Sequence, residues 1–117
     1  MSADIQVSVR QDAQTAIIDL AGDITSFAEK SIRQGYQRAS ENNVINVVFN
    51  FRENDYINSA GIAILIGVVT EARKHNQNLI MTGLSSHFQK IFRMVGLTQY
   101  ADIYPTVDEA LAVVNSR

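Results

Sequence analysis

Hydrophobic and polar positions along the chain change their period repeatedly, and each change marks the border of a predicted element. Residues 5–9 alternate between apolar and polar, which predicts a half-buried strand. Thr15–Ala21 predicts a second strand, close enough to the first for a hairpin. The run from 44 to 51 is rich in β-branched and aromatic residues, as expected of a central strand. Shorter apolar runs at 78–82 and 101–104 predict two more strands.

Between these strands the apolar positions follow the period of an α-helix. The helix predicted over 27–42 turns one face toward the core. The residues of that face are Phe27, Ile32, Tyr36 and Ala39. Further helices are predicted over 61–75, from Ser85 or Ser86 to about residue 95, and behind the capping sequence that starts at Thr106.

The resulting order of elements is ββαβαβαβα, an N-terminal hairpin followed by alternating helices and strands. This alternation predicts an α/β fold with a mixed, mainly parallel β-sheet, about four α-helices and right-handed crossovers. The 117 residues suffice for one domain, and neither a repeat nor a low-complexity segment divides them. We therefore predict a single domain over residues 1–117.

Composition and charge exclude several classes of protein. The net charge is −2 and the Lys and Arg residues are scattered, which argues against nucleic acid as the main partner. No cysteine is present, so a disulfide framework and thiol chemistry are excluded. The first residues do not resemble a signal peptide, and the longest apolar run, 60–69, is about half the length that a membrane span needs. We expect a cytoplasmic protein without membrane insertion.

Candidate catalytic chemistry is sparse. The two histidines, His75 and His87, lie outside any motif, and no Gly-x-Ser-x-Gly elbow accompanies them. Unclustered histidines without cysteine do not make a zinc site, and no Gly-x-x-x-x-Gly-Lys phosphate loop is present. We predict that the protein is not an enzyme and has neither metal nor cofactor. A hydrolase that uses Ser59 and one of the histidines is the weaker alternative.

The most informative position is Ser59, at the junction between the central strand and the apolar second helix. Asn58 and Ser59 are both good N-cap residues. A hydroxyl at this point adjoins unpaired backbone N–H groups and the positive end of the helix dipole, an environment that accommodates a phosphate. Ser59 is therefore a candidate for a phosphorylation switch as well as for a simple cap.

The second helix carries almost no charge over its first turns. Ala63 and Gly67 share a face with Ser59, and their small size would let a partner approach closely. Packing of this face against a neighbouring helix is the alternative. The opposite stripe is assigned to the core and consists of Ile62, Leu65, Ile66, Val69 and Ala72. Ile64 and Val68 flank the two faces.

Five segments, in order and at matching spacing, follow the pattern of a known family. Residues 58–62 (Asn-Ser-Ala-Gly-Ile) fit its motif Asp-Ser-(Ser/Thr/Ala)-Gly-(Leu/Ile). Residues 20–25 fit a strand and its Gly-(Glu/Asp)-(Leu/Ile)-Asp turn, with Thr25 in place of the last Asp. The other segments are 47–51, 91–97 and 106–111. On these residues, essentially the whole chain resembles the STAS domain of bacterial anti-sigma factor antagonists.

The resemblance implies a regulatory function. In that family the motif serine is phosphorylated by a partner that is both an anti-sigma factor and a serine kinase of histidine-kinase-like ATPase fold. The unphosphorylated antagonist binds this partner and frees the sigma factor, and a PP2C-type phosphatase reverses the modification. Carried over, the phosphoacceptor is Ser59, and its phosphorylation is expected to block binding. Asn58 replaces the family's Asp and Ala60 replaces a second hydroxyl residue, so Ser59 is the sole hydroxyl of the motif.

The same resemblance leaves other partners open. A STAS module can serve a sensor assembly, a switch controlled by a PP2C-type phosphatase, or a membrane transporter. The expected oligomeric state is a monomer or a weak dimer. The expected partner-binding residues are Asp23, Ile24, Thr25, Asn58, Ser59, Ala60, Gly61, Ala63, Ile64, Gly67 and Val68.

Overall fold

The predicted strands pair into one continuous sheet. The computed structural model describes residues 5–53 and 55–116. Its five strands lie side by side in chain order. They are β1 (Gln6–Asp12), β2 (Thr15–Ala21), β3 (Asn46–Asn50), β4 (Asn78–Thr82) and β5 (Ala101–Tyr104). The β1–β2 hairpin is antiparallel and every other pair is parallel, which confirms the predicted mixed, mainly parallel sheet.

Four α-helices cover the two faces of the sheet unequally. They are α1 (Glu29–Ala39), α2 (Ser59–Lys74), α3 (Ser86–Met94) and α4 (Val107–Asn115). The larger core cluster joins the sheet to α1, α2 and α3, whereas the smaller cluster joins Ile17, Val48 and Ile80 to α4. Because helices cover both faces, the middle of β3 is buried on both sides, which agrees with its prediction as a central strand.

The first helix begins later than predicted, and Phe27 is not in the core. A 3₁₀-helix, Ser26–Ala28, precedes α1, and Phe27 on it is 86% exposed. The reason is helical spacing: Ala28 lies four residues before Ile32 and takes the buried position that was assigned to Phe27. Helix α1 also ends at Ala39, three residues before the predicted end at 42.

Helix α2 is rotated relative to the prediction. Ile66, assigned to the core, is 41% exposed, whereas Ile64 and Val68, assigned to the flanks, are buried. Gly61 explains the rotation, because a Cβ on it would lie 2.2 Å from the carbonyl oxygen of Ile24. This glycine lets the backbones approach and turns the Leu65 side of the helix toward the sheet.

Candidate functional site

The candidate site lies at the carboxyl edge of the sheet, where the chain leaves β2 and β3. Beyond the strands, Ile24 and Ile57 form an isolated parallel bridge. The Ile24 N–H donates to the Tyr56 carbonyl at 2.8 Å, and the Asn58 N–H donates to the Ile24 carbonyl at 3.1 Å. The turn after β2 and the segment before α2 are thus joined by backbone hydrogen bonds.

Asp55 and Asp23 strengthen this junction. The Asp55 carboxylate accepts a hydrogen bond from the Gly22 N–H at 2.7 Å. It also forms an ion pair with the Arg52 guanidinium at 2.9 Å. The hydrogen bond from the Arg52 guanidinium, aided by the Gly22 N–H, lowers the pKa of Asp55 against the opposing effect of burial. Asp23 in turn accepts from the Tyr56 N–H at 2.9 Å. Each carboxylate accepts a hydrogen bond from the backbone of the other loop, so the two loops are positioned together.

Ser59 is the first residue of α2, and Asn58 is its cap. The Asn58 side-chain oxygen accepts from the Gly61 N–H at 2.9 Å. Asn58 therefore does what an Asp at this position would do, without the charge. The Ser59 side chain is exposed, and no described residue donates to or accepts from its hydroxyl. Of the two functions considered for Ser59, capping belongs to Asn58, and the hydroxyl is left accessible at the helix N-terminus.

The remaining predicted site residues fall into two groups, one that contributes to the protein surface and one that is buried beneath it. Asp23 and Ala63 are exposed, and Thr25, Ala60 and Gly67 are half-buried. The buried members are Ile24, Gly61, Ile64 and Val68. These four are too buried to form a docking surface of their own, although Ile64 reaches the wall of a groove; their apolar packing and close backbone contact hold the exposed members in place. Gly67 faces the Arg33 guanidinium of α1, so helix packing explains it, whereas Ala63 stays open.

A shallow groove of about 210 Å³ lies beside Ser59, between the start of α1 and the start of α2. Ser26, Glu29, Ala60, Ala63 and Ile64 line it. The small side chains of Ala60 and Ala63 keep the groove open, and Ile64 contributes to its wall. Small side chains next to Ser59 would allow a partner backbone to approach its hydroxyl closely.

Sequence analysis missed Phe27 and Glu29. Phe27 follows the groove residue Ser26 and is the most exposed large apolar residue described. Thr25 caps this segment, its hydroxyl accepting from the Phe27 N–H at 3.3 Å. The signal was present, since a capping Thr-Ser pair places the next residue in a first turn, outside the buried stripe.

The histidines do not complete a hydrolytic site with Ser59. His75 caps the far end of α2, about 24 Å along the helix from Ser59 at 1.5 Å per residue, and pairs with Glu71 at 3.4 Å. His87 is exposed on α3 beside Phe88. Among residues 5–53 and 55–116, no group of three or more His, Cys, Asp or Glu side chains could hold a metal ion. Within the same residues, no helix combines the length and the apolar character of a membrane span.

The fold and this junction define a family. The STAS domain family model matches residues 5–110, and the chain belongs to the STAS domain family. Among curated proteins, an anti-sigma-B factor antagonist of Listeria monocytogenes is 22% identical over 103 residues. The match covers 88% of this chain and 90% of that relative.

Solved structures share the fold across almost the whole chain. An anti-sigma factor antagonist from Mycobacterium paratuberculosis matches with a TM-score of 0.76 at 19% identity, covering 98% of this chain and 99% of the other. The antagonist SpoIIAA in its unphosphorylated form matches with a TM-score of 0.73 at 21% identity, covering 97% and 99%. The phosphorylated form of the Bacillus protein SpoIIAA matches with a TM-score of 0.68 at 19% identity, covering 93% and 99%. At these identities the likeness establishes the fold.

Proposed function

We propose that the protein is an anti-sigma factor antagonist and that phosphorylation of Ser59 switches its binding. The observation that carries the proposal is the state of Ser59: an exposed hydroxyl at the first position of α2, freed from capping by Asn58. The relatives named above are antagonists, and one of them is known in unphosphorylated and phosphorylated forms. The function proposed is regulatory binding rather than catalysis.

The partner proposed for the unphosphorylated form is an anti-sigma factor that also acts as a serine kinase of histidine-kinase-like ATPase fold. It would dock on the Ser59 surface, which comprises Ser59, Ala60, Ala63, Asp23 and Thr25, with Phe27 at its border. Binding would release the sigma factor. A PP2C-type phosphatase would restore the binding form.

The physical basis of the switch is desolvation. Phosphorylation adds about −1.5 to −2 charges and strong acceptor oxygens at Ser59. In the free protein, the N–H groups and dipole at the start of α2 accommodate that charge, with a gain of about 0.3–1 kcal/mol. In a close-packed complex, the same phosphate would be stripped of water without a matching cation. The modification therefore acts at the interface, with little change of fold.

Asn58 fits this mechanism. Its amide keeps the hydrogen bond to the Gly61 N–H, so the geometry of the acceptor serine is preserved. An Asp at this position would add a like charge next to the phosphate, which the neutral amide does not. Replacing the family's Asp by Asn thus retains the cap and removes one source of repulsion from the phosphorylated form.

The test combines mass and affinity. Wild type, Ser59→Ala and Ser86→Ala are incubated with the cognate anti-sigma factor kinase and ATP, and intact mass is recorded. Ser86 is a matched control because it is also an exposed serine at the first position of a helix, behind the capping Ser85. We expect one added phosphate in wild type and Ser86→Ala, and none in Ser59→Ala.

Affinity for the same kinase is then measured by titration calorimetry without ATP. Wild type and Ser59→Ala should bind, and the phosphorylated protein should not. A shift of about 5.5 kcal/mol would turn a 99:1 population of complex into 1:99. Tight binding that survives phosphorylation would refute the switch. A wild type that binds no anti-sigma factor would refute the antagonist function and favour another STAS partner.

A further inference from the structure

The exposed face of α2 does not end with the Ser59 surface. Ser59, Ala63, Ile66, Thr70 and Arg73 follow one another at spacings of three and four, so they form one stripe along the helix. All five are exposed. At its far end the stripe meets the turn between α3 and β5. We call the residues at this meeting point, Ile66, Thr70, Arg73, Val95 and Tyr100, the far patch.

The far patch is apolar at its centre. Ile66 is 41% exposed, and Val95 and Tyr100 are each 46% exposed. Together with buried neighbours they line a groove of about 100 Å³. Sites for small molecules usually have about 300–1,000 Å³, so this groove suits a single side chain of a protein partner instead.

The far patch is also positively charged in a chain whose net charge is −2. Arg73 stacks on the Tyr100 ring, its guanidinium carbon 4.1 Å from the ring centroid. None of the four ion pairs described between residues 5–53 and 55–116 involves Arg73. Helix α3, which ends just before Val95, carries Lys90 and Arg93 and contains no acidic residue. A guanidinium that lies over a ring can still donate N–H groups to a carboxylate.

We propose that the anti-sigma factor binds along the whole exposed stripe of α2, and that a segment of it bearing an apolar side chain flanked by carboxylates occupies the far patch. This inference rests on the proposed function and extends it. The apolar side chain fills the groove between Ile66 and Tyr100, and a carboxylate pairs with Arg73.

The dimensions favour one partner for both ends. From Ser59 to Arg73 the stripe is about 21 Å long at 1.5 Å per residue. A standard interface covers about 800 Å² on each partner, which corresponds to a patch about 32 Å across. A single anti-sigma factor centred on α2 would therefore reach the Ser59 surface and the far patch together.

The consequence is a division of function along one helix. Phosphorylation at Ser59 changes affinity at one end, while the far patch selects the partner by charge and shape at the other. Rim charges of this kind act mostly on the association rate and on discrimination between partners.

The test measures the affinity of the purified cognate anti-sigma factor for four variants. Arg73→Glu and Ile66→Ser alter the far patch. Arg38→Glu makes the same charge change on the exposed side of α1, and Ile45→Ser makes the same apolar-to-polar change at a residue that is 46% exposed. Thermal unfolding of each variant shows whether it is folded.

We expect Kd to rise at least about tenfold for both patch variants and to stay within about twofold for both controls. Arg73→Glu should also lower the association rate and flatten its dependence on salt. Folded patch variants that bind as wild type, while a phosphorylated Ser59 abolishes binding, would overturn this inference and leave the proposed function standing. A wild type without measurable affinity for the anti-sigma factor would overturn both.

Discussion

The two ends of α2 are held in place by different kinds of contact. At the Ser59 end, backbone contacts set the position: Gly61 lies against the Ile24 carbonyl, and its N–H donates to the capping side chain of Asn58. At the far end, a side-chain contact joins the helix to the segment before β5, since the Arg73 guanidinium lies over the Tyr100 ring. The backbone at the Ser59 end is therefore fixed in position, whereas the far end is characterised by its exposed side chains.

This difference predicts how each end tolerates change. A backbone contact leaves no space for an added atom, so substitutions that add atoms at this contact should lower stability. Exposed side chains can be exchanged without strain, so substitutions farther along the surface should change binding alone. The first arrangement suits the proposed switch, because the Ser59 hydroxyl would have to be presented in one position to a kinase and to a phosphatase.

The largest effect is expected for Gly61→Ala. Its new Cβ would lie 2.2 Å from the Ile24 carbonyl oxygen, a distance that forces the backbone to move. Overpacking of this kind costs about 1–3 kcal/mol, and we expect the free energy of unfolding to fall by about 3 kcal/mol in urea titrations.

Gly67→Ala is the matched control on the same helix. Its Cβ would meet only the flexible Arg33 guanidinium at 3.1 Å. Alanine has the higher helix propensity, so this variant should be as stable as wild type or up to about 1 kcal/mol more stable. Equal losses in the two variants would contradict the special role given to the Gly61 contact.

The next effect concerns binding at the edge of the Ser59 surface. Phe27→Ala removes an aromatic side chain that is 86% exposed, so the free energy of unfolding should change by less than about 0.5 kcal/mol. Aromatic anchors dominate many interfaces, and we expect affinity for the anti-sigma factor to fall at least about tenfold.

The control for Phe27 is Met94→Ala, because Met94 is 84% exposed at the end of α3 and belongs to neither surface. Calorimetric titrations should give this variant the affinity of wild type. If both variants bind normally, Phe27 lies outside the interface.

The sequence predicted the architecture well and the faces of the helices less well. Strands and helices follow from period and capping, which are local, and the order ββαβαβαβα is confirmed. The facing of α2 depends on Gly61 meeting the Ile24 carbonyl, a contact between residues far apart in the chain. An almost entirely apolar helix carries no polar face to reveal its orientation, so Ile66 and Val68 were assigned to the wrong environments.

In the candidate site, too, features set by neighbouring residues were predicted and features set by distant contacts were not. Ser59 and Asn58 could be placed at a helix start from their neighbours alone, and the structure confirms that position. The link from Asp55 to the Gly22 N–H could not be predicted, because a carboxylate in a loop has no period and its partner is 33 residues away. Phe27 was misplaced because a 3₁₀ turn shifts the register of the buried stripe by one residue.

A smaller effect is expected for the cap. Asn58→Ala removes the acceptor of the Gly61 N–H and should lower the free energy of unfolding by about 1 kcal/mol. Asn58→Asp keeps an acceptor in the same place, so its stability should stay within about 0.5 kcal/mol of wild type. Chemical denaturation at neutral pH measures both. A loss in Asn58→Asp as large as that in Asn58→Ala would show that the amide nitrogen matters, rather than the cap.

The smallest effect depends on pH and tests how the two loops are held. The Arg52 hydrogen bond lowers the folded-state pKa of Asp55 below the value near 3.9 of an unfolded chain. The ionised carboxylate therefore contributes stability above about pH 4, and this contribution is lost as the pH falls through the folded-state pKa.

Asp55→Asn should lack this contribution at neutral pH, where the wild type has it. At a pH below the folded-state pKa of Asp55 the two proteins should differ little, so the stability of the variant should fall less steeply on acidification. Arg52 is largely exposed and screened by water, so we expect a difference below about 1 kcal/mol at pH 7. Asp12→Asn, at the exposed end of β1, is the control and should follow the wild-type curve. Urea titrations between about pH 3 and 7 separate the cases, since the expected change begins near the unfolded-state pKa and continues below it. An Asp55→Asn curve parallel to wild type would mean that the neutral hydrogen bond to Gly22, not the charge, joins the loop after β2 to the start of α2.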